Sequence, residues 1–222
     1  MRYVIALGAA VAFAAAGRAH FVFVYVEGAE ARLVFGHKAE PDPKASAARA
    51  EKTALTARTA GGKELKLTTE KGDGSFYRAK LPEAPAVVFG TTEAGVTQRG
   101  DDPPLLSFYY PKVVVGDPFA KGLTAGTALE LVPVKDGGKV RFQVLVAGKP
   151  VEGVEVTVGL PGETEEKSPV VKTDKDGLTE SFAAKGRYCV AARRAEAKPG
   201  EFAGKKYSAV RHTATLVLDL AK

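Results

Sequence analysis

Three histidines, at positions 20, 37 and 212, are the residues of this chain best suited to transition-metal chemistry. His20 stands directly after Gly17-Arg18-Ala19, a small-x-small sequence of the kind at which secreted chains are cut. A cut after Ala19 makes His20 the new N-terminus and gives it two nitrogen donors, the free α-amine and the imidazole Nδ1. Together they close a six-membered chelate on Cu(II) or Ni(II), metals that favour nitrogen ligands. The α-amine has a pKa of about 8, so it loses its proton readily to a metal near neutral pH. A cut after Ala16 is the alternative, and it would abolish this chelate. His37 and His212, taken singly, also suit ordinary surface or core positions; His20 differs because cleavage creates its second donor.

The elements that must position these residues are strands. Residues 21–26 and 31–37 alternate and flank Glu27-Gly28-Ala29-Glu30, whose Gly28 in first place has the composition of a type II′ turn. A two-residue loop there sets Glu27 opposite Glu30, Val24 opposite Leu33, Val22 opposite Phe35, and His20 opposite His37. Directly opposed Cβ atoms lie about 4.5–5.5 Å apart on one face, so this register gathers both imidazoles at one end of the hairpin. A slip of one residue would send them to opposite faces. Glu40 and Asp42 offer oxygen donors close to His37, and carboxylates also bind such metals. His212 lies in the last alternating run, Val210-Arg211-His212-Thr213-Ala214-Thr215-Leu216, and nothing local decides whether it reaches His20. Tyr109 and Tyr110 fit core or sheet-face positions better than ligand positions.

Bulk properties frame this reading. Arg2, the uncharged apolar run 4–16 and the small-residue junction form a signal peptide over residues 1–19. The apolar run is short of the about 20 residues that a membrane span needs, and no later run is long enough, so the mature chain has no span. The removed part carries two Arg and no acid, leaving 30 basic against 26 acidic residues, a formal charge of +4. These charges are scattered, with no basic stripe, which argues against nucleic-acid binding. Export places the mature chain in the periplasm or outside the cell. The single cysteine, Cys189, excludes an intrachain disulfide and reads as a buried, inert thiol. The mature chain has neither Met nor Trp, which excludes Met-rich copper sites.

Gly and Pro punctuate the mature sequence about every ten residues, between short runs rich in Val, Thr, Phe and Tyr. The expected class is all-β, with two β-sandwich domains. Candidate strands cover 21–26, 31–37, 53–58, 64–69, 75–79, 86–91, 105–110, 128–133, 140–146, 154–158, 170–173, 178–182, 187–193 and 213–218. The one helical candidate, 44–52, is short enough that a polar loop serves equally well. A Gly- and Pro-bearing stretch over 113–127 reads as a linker, dividing the mature chain into 20–131, which holds the candidate metal site, and 132–222. Asp174 and Asp176 lack the further oxygen ligands of a calcium loop and read as turn residues. Asp101-Asp102 precede Pro103-Pro104 in a loop. No Ser-centred nucleophile elbow and no phosphate-binding Gly loop appears.

Two resemblances extend this reading. Ala147-Gly148-Lys149-Pro150-Val151-Glu152-Gly153-Val154-Glu155-Val156-Thr157-Val158, then Thr173-Asp174-Lys175-Asp176-Gly177 and Gly186-Arg187-Tyr188, resemble the Ig-like, transthyretin-like carboxypeptidase regulatory-like domains. That module is a scaffold and implies no chemistry of its own. Ala19-His20-Phe21, Val34-Phe35-Gly36-His37 with Glu40-Pro41-Asp42, Tyr109-Tyr110-Pro111-Lys112 and Arg211-His212-Thr213-Ala214-Thr215-Leu216 resemble a bacterial exported family. That family is described as the periplasmic component of cobalt or nickel transport, and many of its members are known only as domain-of-unknown-function proteins. The chain departs from it at His37, where Glu is frequent, at Phe23, where Trp is common, and at Pro111, where Ala is usual. The resemblance implies metal capture outside the cytoplasmic membrane and leaves the metal open. Together with the histidines it leads to a periplasmic protein, not an enzyme, that holds Ni(II), Co(II) or Cu(II) at His20, with His37 and His212 completing the site, and presents it to a membrane transporter. Two alternatives are a metal-free surface or adhesion module and an oxidative copper enzyme acting on polysaccharide. The lack of Trp and of an aromatic cluster weighs against the enzyme.

Overall fold

The computed structural model describes residues 20–220 apart from residue 184, so the expected signal peptide over 1–19 lies outside the described residues. The chain is all-β, as the alternation implies. Its first half forms β1 (Phe21–Glu27), β2 (Glu30–Gly36), β3 (Thr53–Arg58), β4 (Glu64–Leu67), β5 (Glu70–Lys71), β6 (Phe76–Lys80), β7 (Val87–Thr97) and β8 (Leu105–Val114). Then come β9 (Leu129–Asp136), β10 (Lys139–Val146), β11 (Lys149–Pro150), β12 (Glu155–Gly159) and β13 (Val170–Lys172). The last four are β14 (Gly186–Glu196), β15 (Gly200–Phe202), β16 (Lys205–Tyr207) and β17 (Ala209–Leu220). The helical candidate reduces to one 3-10 turn, Ala47–Ala50, whose Ser46 Oγ accepts the Ala48 N–H.

The central feature is an eight-stranded sheet in the order β13-β12-β14-β17-β8-β7-β3-β4. A four-stranded sheet, β1-β2-β6-β5, and a three-stranded sheet, β11-β10-β9, pack against it. One apolar core gathers Phe142 and Val144 with Tyr188, Val190, Ala214, Leu216 and Leu218. The other gathers Val22, Val24 and Leu33 with Leu55, Val88, Tyr109, Val113 and Val217. On β17 the two sets alternate: Ala214, Leu216 and Leu218 enter the first core, and Val217 enters the second. Thr215, between them, donates its hydroxyl to the Val22 carbonyl at 2.7 Å. The two sandwiches therefore use opposite faces of one shared sheet, and strands from both halves of the chain meet in it. The boundary expected at residue 131 falls within β9.

Burial on both faces explains why Ala214-Thr215-Leu216-Val217-Leu218 reads as a nearly unbroken apolar run, the pattern of an interior strand. Each of Leu216, Val217 and Leu218 contributes about 1.5–3 kcal/mol on burial. β8 continues to Val114, beyond the expected end at Tyr110, because Lys112, Val113 and Val114 are also buried. Pro111 lies inside this interior strand, and pairing with β7 lapses between Phe89↔Lys112 and Thr92↔Tyr109, where Pro supplies no N–H. Gly90 sits at that gap, and a Cβ there would approach the Ala54 carbonyl to 2.8 Å. The expected strand over 178–182 is reduced to isolated bridges from Leu178 and Phe182 to β10.

Candidate functional site

The first hairpin adopts the register expected from its turn, from Glu27↔Glu30 through Val24↔Leu33 and Val22↔Phe35 to Phe21↔Gly36. Gly28 takes φ +59°, the left-handed conformation that the first turn position of a type II′ turn requires. His20 and His37 continue the ladder beyond its last pair. Their ring centroids lie 4.0 Å apart at 44°, and His20 also stacks on Phe35 at 5.4 Å. Phe35 in turn meets Tyr109 of the central sheet edge-on. The ring of His20 is thus seated between an aromatic from its own hairpin and a second imidazole.

Asp42, from the loop after β2, brings its Oδ2 to 3.3 Å from His20 Nε2. Its Oδ1 accepts the Lys44 N–H at 2.8 Å. That backbone bond, followed by the His20 hydrogen bond and the nearness of His20 and His37, holds the Asp42 carboxyl below the usual carboxylate range. The His20 side chain is 33 % exposed and Asp42 25 %, so the site opens to solvent. With Nε2–H donated to Asp42, a neutral His20 ring carries its lone pair on Nδ1, the nitrogen that would close a chelate with a free α-amine. A carboxylate that fixes a histidine tautomer in this way is a usual partner of metal-binding imidazoles. Among the described residues, no three His, Cys, Asp or Glu side chains are grouped to hold a metal ion. The His20 α-amine would therefore be a necessary further donor.

His212 does not join this group. On β17 it has Phe108 as its register partner on β8 and shares a face with Ala214 and Leu216, away from Thr215 and its bond to β1. Its ring stacks on Phe108 and Tyr110 at 5.9 and 5.8 Å, nearly parallel to both, and its Nδ1 lies 2.8 Å from the Tyr110 hydroxyl. Burial pushes the Tyr110 hydroxyl up to about 12. Burial also lowers the His212 pKa, with Glu196 opposing and the positive charges of Arg194 and Lys198 assisting. The pair is thus a hydrogen bond between a neutral imidazole and a protonated phenol. The expectation that all three histidines share a site is corrected by strand alternation, which turns His212 to the opposite face of the shared sheet.

Glu40 lines a cavity of about 460 Å³ with Tyr25, Arg32, Lys38, Arg187 and Cys189. Cys189 is largely buried there; its Sγ accepts the Ala39 N–H at 3.4 Å, and burial raises its pKa. Two features had no signal in the sequence reading. One is the buried ion pair of Lys112 with Glu130, 2.6 Å apart and 3 % and 4 % exposed. The other is the pair Arg193 and Arg211 on the face that carries Tyr109.

Residues 19–196 match the family model of a domain of unknown function, DUF4198. The chain belongs to the DUF4198 family. The DUF4198 match takes in the His20–His37 hairpin and crosses both sandwiches to the end of β14. No curated protein matches the chain. Among solved structures, it is similar to the tetra-tandem repeat in the extending region of a large adhesion protein, at 13% identity. That likeness covers 90% of this chain and 50% of the other, with a TM-score of 0.23, too low to carry any argument. Among the described residues no helix is long and apolar enough to cross a membrane.

Proposed function

We propose that this DUF4198 protein is an exported, periplasmic or secreted metal-binding protein that captures Ni(II), Co(II) or Cu(II) at His20 and His37. The observation that carries the reading is the arrangement of His20: ring against His37, Nε2 toward Asp42, and Nδ1 left for chelation. The donor set fits the group. Two imidazoles and, after removal of residues 1–19, one amine are the nitrogen ligands that these metals prefer, and Asp42 supplies negative charge beside them. A bound ion would supply no reaction in this reading; the protein acts by capture and release, not by turnover. His20 would bind through its amine and Nδ1, His37 through its ring, and Asp42 would orient His20. His212 is left out because it lies across the sheet. A membrane metal transporter is the partner that this role implies. The second sandwich, with its likeness to carboxypeptidase regulatory-like modules, serves as scaffold.

The test compares two forms of the mature protein, one beginning at His20 and one carrying a single extra residue before it. Both are titrated with Cu(II), Ni(II) and Co(II) by calorimetry. The authentic form is expected to bind more tightly by roughly a hundredfold or more, since the extension removes the chelating amine. Equal weak binding by both forms would overturn the reading.

A further inference from the structure

The metal reading leaves two arginines unused. Arg193 on β14 stands opposite Thr213 of β17, and Arg211 of β17 stands opposite Ala195 of β14 and Ser107 of β8. The two are diagonal neighbours on one sheet face, a relation that sets Cα positions about 7–8 Å apart. Arg211 Nη2 donates to Thr97 Oγ1 at 3.2 Å and to Ser107 Oγ at 3.0 Å. The Arg193 guanidinium lies over the Phe21 ring, 5.2 Å from its centroid. Hydroxyls and a ring hold these groups in place but cancel neither charge. The Nε atoms of both are buried, and among the described residues neither has a hydrogen-bond partner.

Buried or half-buried charges are ordinarily paired with opposite charge. Here the neighbours are of like sign. Burial, and then the charge of Arg211, depress the Arg193 pKa, and among the described residues the one opposing group is Tyr109. Two acids on strands of the same sheet turn away: Glu196 pairs with Val210 and Glu93 with Phe108, positions on the other face. A planar guanidinium fork matches the two oxygens of a carboxylate or phosphate, and two forks side by side match them best.

We infer that Arg193 and Arg211 form a binding site for a small oxyanion, with Ser107, Thr97 and Phe21 holding the two guanidinium groups in place. Phe21 ties the site to the first hairpin, but the site requires no metal. The anion supplies the negative charge that the protein omits.

The test uses the mature protein, stripped of metal on a chelating resin, in Tris-chloride at constant ionic strength. Sodium phosphate and sodium citrate are the probes, read by calorimetry and thermal melting against matched sodium chloride. At least one probe should bind saturably and raise Tm; which of them does separates an inorganic from an organic source. Arg193→Gln and Arg211→Gln should each weaken binding by roughly tenfold or more. Arg193→Lys, which keeps the charge and loses the fork, should also weaken binding while leaving the unliganded Tm unchanged. Without anion, Arg193→Gln should melt no lower than the wild type, because it relieves like-charge repulsion. A wild type that binds neither probe would overturn the proposal. So would an Arg193→Gln protein that binds as well as the wild type, or one that melts well below it without anion.

Discussion

Replacing Glu130 by Ala should destabilise the protein more than replacing its partner Lys112 by Met. Glu130 is the hub of the buried pair. It accepts from Lys112 at 2.6 Å, from the Ala125 N–H at 2.6 Å and from the Gly126 N–H at 3.0 Å. Among the described residues Lys112 has one other partner, the Leu123 carbonyl at 3.3 Å. Removing one member of a buried ion pair costs about 3–5 kcal/mol, because the other is left uncompensated. For Lys112→Met, the carboxylate keeps two amide donors, which favours the lower end, about 3 kcal/mol. For Glu130→Ala, an ammonium is left with one carbonyl and two amides lose their acceptor, adding about 1–3 kcal/mol. Burial already lowers the Lys112 pKa, so the stranded amine would shed its proton and cap the cost near about 5 kcal/mol. For a chain of this size, about 2–4 °C of Tm accompanies each kcal/mol. Expected losses are therefore roughly 6–12 °C for Lys112→Met and 10–20 °C for Glu130→Ala. The double variant Lys112→Met/Glu130→Leu should recover a good part of the loss, since apolar replacement of both members is often close to neutral. Denaturant melts at neutral pH of the wild type, Lys112→Met, Glu130→Leu and the double variant Lys112→Met/Glu130→Leu give the coupling energy directly. Strictly additive losses, or single losses below about 1 kcal/mol, would refute the reasoning.

His212→Ala should lower Tm, through loss of its stacking on Phe108 and Tyr110, yet leave metal affinity within about threefold, whereas His37→Ala should lose roughly tenfold or more; calorimetry separates the two, and an equal loss for both would contradict the placement of His212 across the sheet. The Asp174 carboxyl is held below its usual range, first by the Leu178 N–H and then by the Arg141 side chain and the Asp176 N–H. Its folded pKa lies below the unfolded 3.8, so the folded state binds fewer protons there. That stability is present above pH 3.8 and lost as pH falls through the folded pKa. Asp174→Asn should therefore flatten the acid limb of a stability–pH curve; an unchanged slope would show that these bonds persist in the unfolded chain.

The hairpin register was legible because Gly28 fixes the loop and the loop fixes every pair after it. Most strands were legible for the same local reason, alternation between Gly and Pro marks, and the range 53–58 coincides with β3. The β15–β16 hairpin was not, since Gly200-Glu201-Phe202 and Lys205-Lys206-Tyr207 are short and mostly polar. The Gly- and Pro-bearing stretch over 113–127 read as a linker, but burial on both sides carries β8 through to Val114. Asp42 was visible as an oxygen donor near His37; its contact with His20 needed the loop geometry. The alternation around His212 fixes which residues share its side, but only the packing of β1 against Thr215 decides which side faces the first hairpin. The arginine pair depends on strand pairing across the sheet, which no local pattern reveals.

The parallel pairing of β17 with β8 governs the order in which this molecule can be built. Ala209 aligns with Leu105 and Val217 with Val113, so the contact spans more than a hundred residues of chain. β17 also pairs along its length with β14, and its two faces enter the two cores. Until it is in place, β8 and β14 are both raw edges, able to pair with strands of other chains. Neither sandwich can then complete its core independently of the other. Closure of so long a loop before any reward makes folding slow relative to a helical chain of equal length. A strand shared by both cores thus couples the folding of the two halves, and it leaves β8 and β14 exposed to aggregation until β17 pairs with them.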